Sequence, residues 1–205
     1  MRFHNNSRTR QSGFSLIELL VVVAIILVVS AVAVPNIMRA MSAYRLRSAA
    51  GEYAQLVQRM RMEALKNNRD MRIWYGWSVS SEGWRPSFYV DADLDWTMDA
   101  NEAAFPLPRN MWWGWGPSTA TMNLDFTYIS QTWIHPGFNS RGIPCAYGIV
   151  SWSQCSTTSG GQPVGFVYFL TDYETGWGSP TGYAAVTVSP SGKVKVWTWS
   201  GSSWQ

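Results

Sequence analysis

The sequence is poor in the residues that most often build catalytic and metal sites. Only two of its 205 residues are histidine, two are cysteine, and charged residues make up 14% of the chain. No nucleophile has a candidate base at a supporting spacing, and no three ligands have the spacing of a zinc site. We therefore expect a protein that is not an enzyme and that requires no cofactor.

An excess of charge is also missing once the first thirteen residues are set aside. Those residues hold three arginines and no acid, so the remainder carries 13 basic residues against 13 acidic ones. A neutral body does not indicate a nucleic-acid-binding protein, although the pI of the whole chain is about 9.0. Arginines placed just before an apolar run instead favour a cytoplasmic N-terminus.

The sequence has one long apolar run, residues 14–34, and no second. Its 21 residues match the ~20 that a helix needs to cross a bilayer. An ordinary secretory signal stays open as an alternative, because Ala31-Val32-Ala33 fits an A-x-A cleavage site. Neither that signal nor a plain anchor explains Glu18, a carboxylate whose burial in lipid costs ~2.5–3.5 kcal/mol on insertion scales.

The stretch Gly-Phe-Ser-Leu-Ile-Glu (residues 13–18), with its basic leader and with Pro35 beyond the run, resembles the cleavage motif of type IV prepilins and type II secretion pseudopilins. The resemblance implies that a prepilin peptidase cuts between Gly13 and Phe14 and methylates the new amine of Phe14. It also implies that the helix leaves the inner membrane lipid to join other pilins in a filament core. There, Glu18 of one subunit would pair with the Phe14 amine of its neighbour, which gives the buried acid a partner.

The sequence stays helical in character after Pro35, so we predict a helix from Phe14 to about Lys66 whose second half packs on a sheet. The packed face is an apolar stripe at spacings of three and four residues: Ala49, Tyr53, Leu56, Met60 and Ala64. Arg61 and Glu63 are expected on a solvated face. The predicted domains are a leader (1–13), a membrane or filament-core helix (14–34), its amphipathic continuation (35–68) and a periplasmic β-rich domain (69–205).

Beyond residue 68 the apolar period changes from 3.6 to 2, which predicts strands. The predicted strands are 71–78, 84–90, 125–130, 164–171, 183–188 and 193–199. The last two join through Ser189-Pro190-Ser191-Gly192 as an antiparallel hairpin with one wet face. The predicted fold class is α+β: a long N-terminal helix on an antiparallel β-sheet domain of the type IV pilin kind.

Three further stretches resemble the GspH/FimT group of minor pseudopilins: residues 58–68 at the end of the helix, the F-N-x-R-G-x-P segment at 138–144, and the hairpin 185–195. Residues 91–122 and the tryptophan-rich tail match no pattern of that group. Cys145 and Cys155 are predicted to form a disulfide outside the cytoplasm, where such bonds persist. His135 is expected to be a hydrogen-bonded surface residue.

Residues 91–102, DADLDWTMDANE, have acids at the ligand positions of an EF-hand calcium loop. The candidate ligands of this possible Ca²⁺ site are Asp91, Asp93, Asp95, Asp99 and Glu102. Trp96 holds the sixth position, where an EF-hand needs glycine for its sharp turn, and no exiting helix follows. A solvated acidic loop is the alternative interpretation.

Lys193 and Lys195 form a basic pair on the last hairpin, with Trp197 and Trp199 in the same register. In the FimT branch that the hairpin resembles, a basic G-[RK]-x-[RK] hairpin contacts DNA. Lysines bind phosphate and aromatic rings stack on bases, so DNA is a possible partner. A plain polar face of an edge hairpin is the alternative.

Two functions are consistent with these features of the sequence. The first is a minor pilin or pseudopilin that enters or primes a type IV pilus or a type II secretion pseudopilus. The second is a DNA-binding minor pilin that acts in natural transformation. Both imply a single-pass inner membrane protein with a cytoplasmic N-terminus and a periplasmic C-terminal domain. The protein would later leave the membrane and enter the filament.

Overall fold

The computed structural model of the protein describes residues 15–80, 83–114, 116–130, 135–149, 151–173 and 179–205. This part contains one α-helix, α1 (Leu16–Asn67), and twelve strands. The strands are β1 (Met71–Ser80), β2 (Gly83–Asp91), β3 (Ala104–Pro106), β4 (Met111–Trp113), β5 (Tyr128–Ser130), β6 (His135–Phe138), β7 (Pro144–Tyr147), β8 (Thr158–Ser159), β9 (Gln162–Pro163), β10 (Gly165–Tyr173), β11 (Pro180–Val188) and β12 (Val194–Thr198).

The chain divides into two compact units, Met1–Ala40 and Met41–Gln205. The first holds the apolar start of α1, and the second holds the rest of α1 with all the strands. The helix ends where Asn68 takes a left-handed conformation with φ of 50°. The Arg69 N–H then bonds to the Ala64 carbonyl at 3.2 Å, which satisfies a carbonyl left free at the helix end.

The predicted apolar face of α1 is the face that packs on the sheets. All five residues of the stripe are buried: Ala49, Tyr53, Leu56, Met60 and Ala64. Burying a side chain of the size of Leu56 or Met60 stabilises by roughly 1.5–3 kcal/mol. The structure therefore confirms the helix, its buried face and the α+β class.

The strands form two five-stranded sheets and one short β8–β9 ribbon. The first sheet has the order β3-β2-β1-β6-β7, and all its pairs are antiparallel. The second has the order β12-β11-β10-β4, and β5 runs parallel to β10 through pairs such as Ile129 with Phe166. That pair is an exception to the antiparallel arrangement expected from the sequence.

Several sequence predictions about strands need correction. The strand expected at 125–130 contains only Tyr128–Ser130, because Asp125 and Phe126 form a bend. Six short strands were not predicted: β3, β4, β6, β7, β8 and β9. Two to four residues are too few to show an alternating pattern, and the four residues of β6 and of β7 are all buried.

The last hairpin has the wet face that the sequence predicts only at Lys193 and Lys195, which are exposed, because the rest of that face is covered. Val194 and Val196 pack on the main core, as expected. On the other face of the sheet lies a second cluster of buried residues: Met122, Val167, Phe169, Ala185, Trp197 and Trp204. The C-terminal tail returns to cover this face, and the Thr198 N–H bonds to the Gln205 carbonyl at 2.9 Å. This second cluster buries Trp197 and Trp204, which accounts for part of the large tryptophan content.

Candidate functional site

The N-terminal part of α1 is apolar and exposed. Nearly all its large side chains from Leu16 to Val34 are 45% exposed or more. Glu18 lies in the first turn and is exposed as well. The predicted processing residues Gly13 and Phe14 lie outside the described residues. Pro35 lies inside α1, which continues past it.

Among the described residues, α1 is the one helix that is long and apolar enough to cross a membrane. This finding concerns length and composition, and a signal sequence would meet the same criterion. The exposed apolar side chains of this stretch need to be covered by other apolar groups. A bilayer or a filament core would supply such groups.

The acidic loop begins at Asp91, the last residue of β2, whose carboxylate is fully buried. The Arg72 side chain on β1 donates to it from Nε at 2.7 Å, and a terminal guanidinium nitrogen forms an ion pair with it at 2.5 Å. The carboxylate also accepts the backbone N–H of Leu94 at 2.7 Å and of Trp96 at 3.2 Å. The first predicted calcium ligand is therefore the buried partner of an arginine.

Arg72 is itself enclosed by the loops that cover the outer face of the first sheet. Its guanidinium carbon lies 3.2 Å from the centroid of the Trp96 ring, a cation–π contact. Another guanidinium nitrogen donates to the Trp152 carbonyl at 3.5 Å. Arg72 supplies the cation that a cluster of carboxylates requires, and it does so from within the protein.

The remaining acids of the loop have different environments. Glu102 accepts the N–H groups of Ala92 and Asp99, and its partial burial raises the pKa of its carboxyl. Hydrogen bonds from Thr97 lower the pKa of the exposed Asp95. Asp93 and Asp99 are exposed, and Asp93 accepts one long bond of 3.3 Å from the backbone of Asp95.

The donor set does not fit an EF-hand calcium loop. Carboxylate oxygens of Asp91, Asp93 and Asp95 do lie within 4.8 Å of one another. However, Asp91 is bound to a guanidinium, and both oxygens of Glu102 accept backbone N–H groups. Trp96 does take the positive φ, 74°, for which an EF-hand uses glycine at this position, so the mismatch lies in the donors and not in the turn. Calcium binding by the other acids stays a prediction.

His135 is buried, so its expected place at the surface is wrong. It is 3% exposed, and its ring centroid lies 3.7 Å from that of Trp74. Burial, with a smaller contribution from the Arg72 charge, lowers its pKa from 6.5 to about 3. The tryptophans at 74, 96 and 152 share this aromatic cluster on the outer face of the first sheet.

Cys145 and Cys155 form the disulfide that the sequence predicts. Cys145 lies on β7, and the bond closes the loop that carries Trp152. The Ala146 N–H and carbonyl pair with Ser156, so the loop is also fixed by two backbone hydrogen bonds. The loop that bonds to Arg72 is therefore tied to the first sheet.

Arg61 binds the β11–β12 hairpin to α1. The sequence predicts this side chain on a solvated face, but it is half-buried. Its guanidinium donates to the carbonyls of Gly192 at 3.0 Å and Ser191 at 3.3 Å, and it lies 5.8 Å from the centroid of the Phe138 ring. Glu63 does face solvent in part and pairs with Arg59 at 2.8 Å.

Lys193 and Lys195 are both exposed beside a groove of about 760 Å³. The Lys195 ammonium lies 3.3 Å from the centroid of the Trp197 ring, and the indole N–H donates to Thr187 at 2.9 Å. The far wall of the groove is the segment 121–126, which contributes the exposed carboxylate of Asp125. Trp197 is 8% exposed, so its ring is not free to stack on bases.

Sequence reasoning missed three residues that determine these surfaces: Arg72, Arg61 and Asp125. Period-2 alternation does place Arg72 on the face opposite to Met71 and Ile73, so its exclusion from the main core was predictable. Its partner is 19 residues away along the chain and is fixed by the pairing of Arg72 with Asp91 in adjacent strands. Arg61 bonds to residues 130 and 131 positions away, contacts without a local signal.

A family model described as the prokaryotic N-terminal methylation motif matches residues 8–34. The match includes Gly13, Phe14 and Glu18, the residues that the sequence singled out. No curated protein and no solved structure matches this chain. The motif, together with one long apolar helix packed on antiparallel sheets, supports a type IV pilin-like protein.

Proposed function

We propose that this protein is a minor pilin or pseudopilin, a structural subunit that assembles into or primes a type IV pilus or a type II secretion pseudopilus. The observation that carries the proposal is the methylation motif at residues 8–34, which overlaps the exposed apolar start of α1. A prepilin peptidase would remove residues 1–13, and the helix would then pass from the inner membrane into a filament core. The resemblance of three later stretches to the GspH/FimT group supports the choice of a minor subunit.

In this proposal Glu18 has an electrostatic role. Cleavage creates a cationic amine at Phe14, four residues before Glu18. A carboxylate buried in an apolar filament core is tolerated when it is paired with a cation. The amine of an incoming subunit would meet Glu18 of its neighbour and so favour one axial register.

Mass spectrometry of the mature protein tests the proposal directly. The expected product begins with N-methylated phenylalanine derived from Phe14. A Glu18→Ala variant should be cleaved but should enter filaments poorly, whereas Glu18→Asp should retain part of the incorporation. An N-terminus at any other residue, or wild-type incorporation of Glu18→Ala, would contradict the proposal.

DNA binding in natural transformation is the second candidate function. The observation in its favour is the groove beside Lys193 and Lys195, which presents two exposed ammonium groups. Because Trp197 is covered, any contact would be to phosphates, and affinity would fall steeply with salt. Gel shifts with the detergent-solubilised chain at low salt test this; the absence of a shift, or an equal shift with Lys193→Gln/Lys195→Gln, would reject it.

A further inference from the structure

A buried acid bonds α1 to an interior strand of the second sheet. This acid is Asp172, whose side chain is 2% exposed and which lies in β10 between Met111 of β4 and Gly182 of β11. Ser42 of the helix donates its hydroxyl to one carboxylate oxygen at 2.5 Å. The Arg45 guanidinium donates to the other oxygen at 2.7 Å. Both oxygens of one buried carboxylate therefore bind the helix.

Two contacts with β11 complete this junction. The hydroxyl oxygens of Ser42 and Thr181 lie 3.2 Å apart, and Thr181 donates to the Asp172 backbone carbonyl at 3.1 Å. The helix lies close to the backbone here, because a Cβ built on Gly182 would be only 2.8 Å from a methyl carbon of Leu46. The name α1 clamp denotes the four polar residues of the junction: Ser42, Arg45, Asp172 and Thr181.

The α1 clamp lies at the beginning of the second compact unit, Met41–Gln205. Ser42 and Arg45 are three residues apart, so they share one face of the helix. Among the described residues of this unit, they are the first in α1 to bond to a strand, and Leu46 is the first helix residue of the main core. A force along the N-terminal part of α1 therefore reaches the strands through the clamp before it reaches the core.

The α1 clamp fixes the axial position of the helix more sharply than the apolar stripe does. Apolar contacts have no preferred direction, whereas a hydrogen bond is lost when donor and acceptor move apart by about 0.5–1 Å. A shift of the helix by one turn, about 5.4 Å, would replace Ser42 and Arg45 at the carboxylate. Their replacements would be Met38 and Met41 or, in the other direction, Leu46 and Ala49. None of these side chains is a donor, so the buried acid would lose both partners.

We propose that Asp172 is a positioning residue, which sets the axial register of α1 on the strands and holds it while the helix is drawn from the membrane into a filament. This inference rests on the proposed function, because only passage into a filament places a load along α1. Buried polar contacts that specify register with little gain in stability occur in other helical assemblies. The Arg45 side chain is 43% exposed, so its ion pair adds little to the stability of the unloaded domain.

The filament fraction of the full-length chain tests the role of the α1 clamp. It is measured in cells that assemble the filament, as the amount of mature chain in sheared filaments divided by the amount left in the membrane. Asp172→Asn keeps the size of the side chain and an acceptor for Ser42, and Arg45→Met keeps a long side chain. Each removes the ion pair and should lower the filament fraction at least about fivefold, because the clamp loses a charge-assisted hydrogen bond. A wild-type filament fraction in either variant would overturn the proposal.

Two controls repeat the same chemical changes outside the α1 clamp. Asp125→Asn and Arg47→Met alter exposed residues, and Arg47 is only two positions from Arg45. Both should keep the filament fraction and the melting temperature of the wild type. Asp172→Asn should keep a melting temperature close to that of the wild type although its filament fraction falls. A filament fraction that falls only in proportion to the folded fraction would indicate a role in folding alone and would overturn the proposal.

A disulfide can replace the α1 clamp. Because the Ser42 and Thr181 hydroxyls lie 3.2 Å apart, cysteines at these positions are within reach of such a bond, and the two native cysteines are already bonded to each other. In Asp172→Ala, the pair Ser42→Cys/Thr181→Cys should restore the filament fraction, whereas Ser42→Cys alone should not. Mass spectrometry identifies the linked peptides. A linked pair that leaves the filament fraction low, or a pair that does not link in the wild-type background, would overturn the proposal.

Two readouts keep this inference distinct from the proposed function. If the mature N-terminus is not methylated Phe14, or if the wild type does not enter filaments, the proposed function fails. If the wild type is processed and assembled normally and the clamp variants assemble equally well, only the role of Asp172 fails.

Discussion

Arg72 and Asp91 form an ion pair that is closed to solvent, with side-chain exposures of 1% and 0% and a shortest N–O distance of 2.5 Å. They lie opposite each other on β1 and β2, on the face of the first sheet that points away from α1. The pair fixes the start of the acidic loop and is covered by Trp96. The stability of this pair and of the loops around it can be measured on the detergent-solubilised full chain.

Removal of one partner of the Arg72–Asp91 pair should be strongly destabilising. Arg72→Met leaves a buried carboxylate without its counter-charge, which typically costs about 3–5 kcal/mol. The expected result is a large drop in the melting temperature of the near-ultraviolet circular dichroism signal, to which the tryptophans contribute. Arg59→Met is the matched control, because its pair with Glu63 is largely exposed and such pairs contribute ~0–1 kcal/mol. Equal effects of the two substitutions would contradict a special role for Arg72.

Calcium should not stabilise the wild-type protein appreciably. Arg72 already neutralises Asp91, and Glu102 is bound to backbone N–H groups, so the loop has no complete set of free ligands among its described residues. The measurement is the melting temperature in millimolar calcium against magnesium at equal ionic strength. A rise specific to calcium, and lost in Asp93→Ala, would show that the calcium site predicted from the sequence exists.

Stability should fall with decreasing pH because of His135. Its folded pKa is about 3 against 6.5 when unfolded, so between these values the unfolded chain binds a proton that the folded chain does not. The contribution of neutral His135 is therefore present above pH 6.5 and is lost as the pH falls toward 3. The slope is at most about 1.4 kcal/mol per pH unit.

The His135 prediction is checked by comparing the melting temperatures of the wild type and His135→Phe over roughly pH 4–7. In this range the imidazole titrates only in the unfolded chain. Phenylalanine keeps an aromatic ring against Trp74 and does not titrate. The wild type should lose stability faster than the variant as the pH falls. Parallel profiles would mean that another group causes the pH dependence.

The contact between α1 and the last hairpin should depend on Arg61. Arg61→Ala removes two charge-assisted hydrogen bonds and the packing of its side chain near Phe138, and we expect a loss of about 1.5–3 kcal/mol. Glu63→Ala, two residues away, should cost less than ~1 kcal/mol. Hydrogen exchange of the Lys193 and Gly192 amides should accelerate in the first variant alone. Unchanged exchange would contradict this role of Arg61.

The disulfide should stabilise the loop that carries Trp152. A bond between residues ten apart is expected to contribute about 3 kcal/mol in the chain-entropy model. Cys145→Ala/Cys155→Ala should lower the melting temperature to the value of the reduced wild type. Reducing agent should then have no further effect on the variant, and any such effect would point to a cause other than this bond.

The helix and its buried face were predictable because their information is local. The stripe from Ala49 to Ala64 repeats every three or four residues, and each residue of the stripe is buried. The hairpin β11–β12 was predictable for the same reason, since Gly192 with φ of 81° closes a turn between two alternating segments. The short strands β3, β4, β6 and β7 were not predictable from the sequence. Each is too short to show a period, and each is defined by its pairing with another strand.

The candidate sites also differ in how far the sequence alone predicts them. The methylation motif is a linear pattern, and the family comparison finds it where the sequence placed it. The spacing of acids in 91–102 is equally linear, but it does not reveal that Asp91 is buried against Arg72. The strand register brings Arg72 against that carboxylate from 19 residues away. His135 was misplaced for a related reason, because nothing in its neighbours along the chain reveals the aromatic rings above it.

The amino-acid sequence by itself determined the processing motif, the apolar helix and the α+β class, because these depend on the order and period of neighbouring residues. Only the tertiary structure decided which charges are buried and which are free for a partner. Arg72 and Asp91 cancel inside the domain, whereas Lys193, Lys195, Asp93 and Asp99 stay exposed. A charge acts through its distance to other charges in space, and folding sets that distance.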